Sequence, residues 1–160
     1  MPLSKLREFL DSHQIKYLVI SHSLAYTAQG VAALAHVSGK KLAKTVIVKI
    51  DGVLAMVVVP ASLHVDLELL KKLTGAQTVE LASEREFKGA FPDCETGAMP
   101  PYGNLYDMPV YADESLAEYE EITFSAGTHR ELVRMSWKDM VRLVSPTISV
   151  LTYHHLGVVA

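Results

Sequence analysis

The sequence has one cysteine, Cys94, among 160 residues, so no disulfide can close within the chain. It has no long apolar run: the longest, Val53 to Ala61, is about half the length of a membrane span. The opening residues, MPLSKLREFL, contain no stretch that reads as a secretion signal. It has no excess of positive charge either. Against 18 Asp and Glu there are 15 Lys and Arg, a formal net charge of −3. A protein that coats nucleic acid depends on many cationic contacts to phosphate, so that class is excluded. A DNA-binding reading fails too, since no recognition-helix pattern is present. Gripping only the end of a nucleic acid needs a few local cations, and Lys40, Lys41 and Lys44 form one such group, Arg130 and Arg134 another. There is no Walker loop, dinucleotide fingerprint or G-x-S-x-G elbow. His13, His22, His36 and His64 show no ligand spacing. The adjacent His154 and His155 would point to opposite faces of a strand, so no metal and no cofactor is expected. Nothing marks Cys94 as a nucleophile. What remains is a chain with 49% hydrophobic and 21% charged residues. It reads as one ordered cytoplasmic domain over residues 1–160, with no membrane partner.

Apolar spacing marks the elements. Leu3, Leu6 and Leu10, with Phe9 beside them, predict an amphipathic helix over 3–13. Lys16 to Ser21 reads as a short strand. Thr27 is placed to cap a helix with Ala28, Val31, Ala32 and Ala35 on its apolar side and Gly39 at its end. Leu42 to Ile50 and Val53 to Pro60 are β-branched runs joined by Asp51-Gly52. That dipeptide suits a two-residue type I′ hairpin, where both central residues take positive φ. Both runs are apolar at most positions, so both faces of the hairpin should be covered. Ser62 starts a predicted helix to Leu73, with Gly75 beyond it. Thr78 to Leu81 reads as a strand, and Ser83 and Glu86 have capping-box spacing. Residues 89–104, GAFPDCETGAMPPYGN, form a long loop of the kind that tends to carry function. Pro109 to Ala112, Glu121 to Ser125 and Arg130 to Met135 read as strands, the last two reversing through Ala126 to His129. Ser136 caps a helix that Pro146 ends, and Thr147 to Tyr153 would be a final strand. Six to eight strands among four or five helices give an α/β fold of the α+β kind with a mixed sheet.

Three segments carry candidate chemistry. Lys44, in LAKTVIVKI, shares a strand face with Val46, Val48 and Ile50. An ammonium on an apolar face is costly without a partner or water. Either it lies at the strand mouth and reaches solvent, or it lines a pocket and holds a phosphate or polarises a carbonyl. Gly97-Ala98-Met99-Pro100-Pro101 is a stiff loop. It is either an ordinary surface loop or a set of backbone N–H groups aimed at one acceptor, an oxyanion hole. Ser125-Ala126-Gly127-Thr128-His129 places hydroxyls, a glycine and an imidazole at a turn, which equally describes a tight hairpin whose Ser and Thr bond the backbone.

In order and spacing, these segments resemble the YbaK family, the prolyl-tRNA editing-domain superfamily of trans-acting aminoacyl-tRNA deacylases. The resemblance rests on AYTAQGVAALAHV (25–37), LAKTVIVK (42–49), GAMPPYG (97–103) and ITFSAGTHRELVRM (122–135). It implies a curled, barrel-like mixed sheet flanked by helices, and hydrolysis of the ester joining a wrong amino acid to the tRNA 3′ end. It implies that Lys44 is the hallmark residue, followed by Thr45. The Gly97 loop, with Ala98, Met99 and Pro100, would orient the substrate carbonyl. The turn of Ser125, Ala126, Gly127, Thr128 and His129 would line the amino-acid pocket, with Tyr26 near its mouth. The implied partner is the acceptor end of a mischarged tRNA, with an aminoacyl-tRNA synthetase as a further one. No triad or metal is implied; the ribose 2′-hydroxyl assists. Ala126, Met99 and the Gly127 main chain suggest a small substrate: alanine, serine, threonine or cysteine. Two other readings compete: a non-catalytic module that binds a tRNA end or a synthetase, and a regulator that binds a free amino acid or nucleotide.

Overall fold

The structure, a computed structural model, describes residues 4–21 and 41–153. The helix expected after Thr27, and Tyr26 with it, lie outside the described residues. Helix α1 (Ser4–Ser12) buries Leu6 and Leu10, and strand β1 (Tyr17–Ser21) follows. The centre of the fold is the hairpin of β2 (Leu42–Ile50) and β3 (Val53–Pro60). Its two strands keep the predicted register from Ala43–Pro60 to Ile50–Val53. Asp51 at φ 49° and Gly52 at φ 82° both take the left-handed conformation of the type I′ turn. The aspartate does more than turn the chain. Its carboxylate accepts from the backbone N–H of Gln77 (3.0 Å) and Thr78 (2.9 Å), tying the hairpin tip to the segment before β5 (Val79–Leu81).

Both faces of the hairpin are covered, as its composition requires. Ala43, Ile47, Met56 and Val58 face one core with Leu6, Leu10, Phe124, Val133 and Met140. Val48, Ala55, Val57 and Val59 face another with Leu70 and Leu151. One mixed sheet runs in the order β1-β8-β7-β2-β3-β6-β9, with β5 added on β2. Here β6 is Val110–Asp113, β7 Glu121–Ser125, β8 Glu131–Ser136 and β9 Thr147–Ser149. Besides β3, β2 pairs with β7 in parallel at its start and with β5 antiparallel at its end. Among the described residues no helix is long and apolar enough to cross a membrane.

Local signals placed most helix ends. Ser83 and Glu86 close the expected capping box on α3 (Glu84–Phe87). The Glu86 carboxylate also pairs with Lys49, and these contacts hold its pKa down at about 2. Ser136 caps α4 (Trp137–Val144) through the Asp139 N–H. Two expectations need correction. The helix expected from Ser62 is α2, Leu67–Thr74, and its cap is Asp66, whose carboxylate accepts from the N–H of Glu68 and Leu69. The residues between are drawn into β4 (His64–Val65), which pairs with β10 (Thr152–Tyr153). The strand expected over Thr147 to Tyr153 is accordingly two. Its first part lies parallel to β6 in the main sheet, its second in the small one. Asp113 breaks it: this buried carboxylate accepts from the Leu151 N–H at 2.8 Å and turns the chain out of the sheet.

The 89–104 segment is irregular but not loose. Phe91, Ala98, Met99 and Tyr102 are buried in it, and 3₁₀ turns flank it at Lys88–Ala90 and Gly103–Leu105. A Cβ on Gly103 would overlap the Met108 carbonyl oxygen and sit 2.5 Å from Val110 Cγ2. Neither can withdraw, since the Gly103 carbonyl accepts from Met108 N–H at 2.9 Å and Val110 begins β6. Gly103→Ala should cost about 2–3 kcal/mol in a urea melt. A loss under about 0.5 kcal/mol would show that the segment yields easily.

Candidate functional site

The glycine loop and the β7–β8 turn are one unit. Four hydrogen bonds cross between them. Glu95 N–H donates to the Gly127 carbonyl (2.8 Å) and Gly127 N–H to the Ala98 carbonyl (2.8 Å). His129 N–H donates to the Glu95 carboxylate (2.6 Å), and His129 Nε2 donates to the Thr96 carbonyl (2.7 Å). The last bond places the proton on Nε2, because a carbonyl only accepts. His129 is thus a buried fastener between turn and loop. Gly97 and Gly127 take φ of 85° and 96°, which glycine alone adopts at little cost. At Gly97 an added Cβ would meet His129 Cε1 at an ordinary 3.5 Å, so the dihedral and not crowding demands glycine. The N–H groups of Glu95, Ala98, Gly127 and His129 are occupied, whereas those of Thr96, Gly97, Met99 and Thr128 have no acceptor among the described residues.

Lys44 reaches this unit through the sheet. β2 and β7 pair at Leu42–Thr123 and Ala43–Phe124. The next step along both strands is Lys44 and Ser125, the first residue of the turn segment. Lys44 is half-buried, and burial lowers its pKa below the ordinary 10.5. Among the described residues no carboxylate or hydrogen-bond acceptor compensates it. Thr45 alternates to the opposite face. Ser125 and Thr128 are half-buried, Pro100 is buried, and Ala98 is fully so. Met99 and Ala126 lie in the core cluster with Ala43 and Ile47, so their side chains shape the floor of the unit from within.

The cations of the two groups have different surroundings, with Lys40 outside the described residues. Lys41 sets its ammonium 5.6 Å from the Tyr119 ring centre, Arg130 is exposed at the turn, and Arg134 lies near Glu121. A cavity of about 120 Å³ adjoins the loop between Phe87, Phe91, Cys94, Thr96 and Met99. Burial pushes the Cys94 thiol up to about 11, so it is protonated and unreactive at neutral pH. Glu95 had no signal in the sequence, because its turn partner His129 is 34 residues away.

Known proteins share this fold. The sequence profile described as the aminoacyl-tRNA editing domain matches residues 22–143, which include Lys44, the Gly97 loop and the Ser125–His129 turn. Proline–tRNA ligases of Bacillus mycoides (strain KBAB4) and Bacillus cereus (strain AH187) are each 33% identical over 87 residues, 54% of this chain. The match spans about 15% of the length of those relatives. Among solved structures, the hypothetical protein APE2540 superposes with a TM-score of 0.84 at 21% identity, over 94% of this chain and 100% of that one. A candidate trans-editing enzyme for prolyl-tRNA synthetase superposes with a TM-score of 0.79 at 22% identity, over 94% and 96% of the two chains. The profile spans most of the sequence and the fold agrees over nearly all of it, so this chain belongs to the aminoacyl-tRNA editing domain family, related to the proline–tRNA ligases.

Proposed function

We propose that the chain is a deacylase that hydrolyses the ester of mischarged tRNA, acting as one domain in the cytoplasm. The observation that carries this reading is Lys44: a half-buried ammonium without a compensating partner among the described residues, one strand from a glycine turn. A cation kept at such a cost suits a substrate that brings its own negative charge. A tRNA 3′ end supplies phosphate, and its ester carbonyl develops an oxyanion during attack.

In this mechanism Lys44 anchors the terminal nucleotide or the carbonyl. The N–H groups of Gly97 and Met99 receive the oxyanion. Ser125, Thr128 and the Gly127 main chain bound the amino acid, with Ala98, Pro100 and Ala126 supporting the loop and turn and His129 fastening them together. Water, assisted by the ribose 2′-hydroxyl, adds to the ester carbon. The bond to the ribose 3′ oxygen then breaks, that oxygen leaves with a proton, and the free amino acid departs. An aminoacyl ester is already activated, so position and charge suffice. The relatives turn attention to proline tRNA carrying a small wrong amino acid: alanine, serine, threonine or cysteine. The test is release of amino acid from a panel of mischarged tRNAs. Hydrolysis of none of them would leave a tRNA-end or synthetase-binding module as the reading.

The clamp predicts a second kinetic effect. Glu95→Ala removes the acceptor for a buried N–H and should lower kcat roughly 10-fold, with Glu95→Gln recovering most of it because the amide oxygen still accepts. Equal rates for Glu95→Ala and wild type would show that the clamp does not position the loop.

A further inference from the structure

The Gly97 loop has a second set of fastenings, apart from its clamp to the turn. Tyr106 follows the 3₁₀ turn Gly103–Leu105 and returns to the start of the loop. Its ring packs on Phe91, with centroids 4.5 Å apart and planes tilted by 50°. Its hydroxyl donates to the Asp93 carboxylate at 3.4 Å and lies 3.5 Å from Cys94 Sγ. Asp93 and Cys94 immediately precede Glu95, whose carboxylate accepts from the His129 N–H. One residue further, the Thr96 hydroxyl donates to the Glu84 carboxylate of α3 at 3.2 Å. The chain is thus held at every position from Asp93 to Thr96. Next along it are the N–H groups of Gly97 and Met99, which have no acceptor among the described residues.

Tyr106 is itself anchored from outside the loop. Lys5, in the first turn of α1, donates its ammonium to the Leu105 carbonyl at 3.0 Å. The same ammonium stands 4.7 Å from the centre of the Tyr106 ring. A cation at that distance is attracted by the ring quadrupole, and the bond to Leu105 keeps it there. Lys5 and Leu105 are 100 residues apart in the chain. They meet because Leu6 and Leu10 dock α1 into the core that also holds Phe91 and Tyr102. Each of these contacts is modest, but they converge on one short segment. A misplacement of about 1 Å at a reacting centre costs roughly 10²-fold in rate, so contacts that fix such a segment have large kinetic leverage.

We propose that Tyr106 is a positioning residue for the oxyanion N–H groups, held in place by Lys5. It touches no reacting atom and acts through Asp93, Cys94 and Glu95. The proposal rests on the deacylase reading of the same loop, and it makes α1 part of the frame that sets the loop.

The experiment measures kcat and KM for full-length wild type, Tyr106→Phe, Lys5→Met, Asp93→Ala and Asp93→Asn. The substrate is proline tRNA charged with alanine, serine, threonine or cysteine, whichever wild type hydrolyses fastest. Tyr106→Phe keeps the ring against Phe91 and Lys5 and loses only the hydroxyl. It should lower kcat about 3- to 5-fold and leave KM unchanged, because oxyanion contacts form only in the transition state. Asp93→Ala should match that loss, and Asp93→Asn, whose amide oxygen still accepts, should keep most of the wild-type rate. Lys5→Met, which retains the stem, should lower kcat about twofold. Combined with Glu95→Ala, Tyr106→Phe should cost less than the product of the two single losses, since both act on one loop pose. The amide resonances of Gly97 and Met99 report that pose without turnover. They should shift in Tyr106→Phe while the amides of β2 stay in place. Wild-type kcat in Tyr106→Phe would overturn the proposal, and so would losses that multiply in the double variant or a raised KM with kcat unchanged. If wild type releases no amino acid but the two amides shift, the deacylase reading fails and the hold of Tyr106 on the loop stands. If wild type hydrolyses and the two amides do not move, the reading stands and the role of Tyr106 falls.

Discussion

Lys44→Ala should lower deacylation of mischarged tRNA by about 10²–10³-fold, the scale of losing one group that stabilises developing charge. The protein should stay folded. The native ammonium is half-buried without a compensating partner among the described residues, so its removal relieves an unfavourable burial. Lys44→Met, which keeps the aliphatic stem, should melt at the wild-type temperature or above it while remaining inactive. Loss of activity would then be separated from loss of structure. The pH dependence follows with a definite sign. Burial lowers the folded-state pKa of Lys44 below 10.5, the value it regains on unfolding. Between those two pKa values the unfolded chain binds more protons than the folded one, so stability from this group rises with pH. Activity that needs the ammonium falls across the same window. Lys44→Met should lose the stability slope that Lys44 contributes. A folded Lys44→Ala variant that deacylates at the wild-type rate would remove Lys44 from the mechanism.

Asp113→Ala should destabilise the fold by about 3–4 kcal/mol. The carboxylate is 2% exposed and serves two segments at once. One oxygen accepts from the N–H of Leu151 (2.8 Å) and the hydroxyl of Thr152 (3.2 Å). The other accepts from the N–H (3.2 Å) and hydroxyl of Ser115, opening the 3₁₀ turn Glu114–Glu118. Truncation leaves the Leu151 N–H buried without an acceptor, and hydrogen bonds to a charged group are worth more than neutral ones. For a domain of this size the melting temperature should fall by roughly 10 °C. Asp113→Asn keeps one acceptor but turns an amide toward another donor, so an intermediate loss is expected. A urea melt of Asp113→Ala within about 1 kcal/mol of wild type would show that water replaces the carboxylate.

These two residues divide what was legible from what was not. The Asp51-Gly52 hairpin, the Ser83 capping box and the Ser136 cap appear at the predicted places, since each depends on residues within four positions of one another. Periodicity likewise assigned Lys44 to the face of Val46 and Val48. The Ser62 start of α2 and the single strand over Thr147 to Tyr153 did not survive. Asp66 offered the better cap. His64 and Val65 were claimed by Thr152 and Tyr153, almost ninety residues away. No window along the chain contains that pairing, nor the one from Asp113 to Leu151.

The same division runs through the candidate site. By itself the sequence determined the residue types: a lysine on an apolar strand, a glycine-proline loop and a glycine turn, in the order of the editing-domain family. Local sterics and the two-residue strand period suffice for that. Only the tertiary structure decided that loop and turn are one unit fastened by Glu95 and His129, and that Lys44 lies one step from Ser125 across a parallel seam. Those relations are made by hydrogen bonds and sheet register between residues far apart in the chain, and such contacts exist only once the core has brought the strands together.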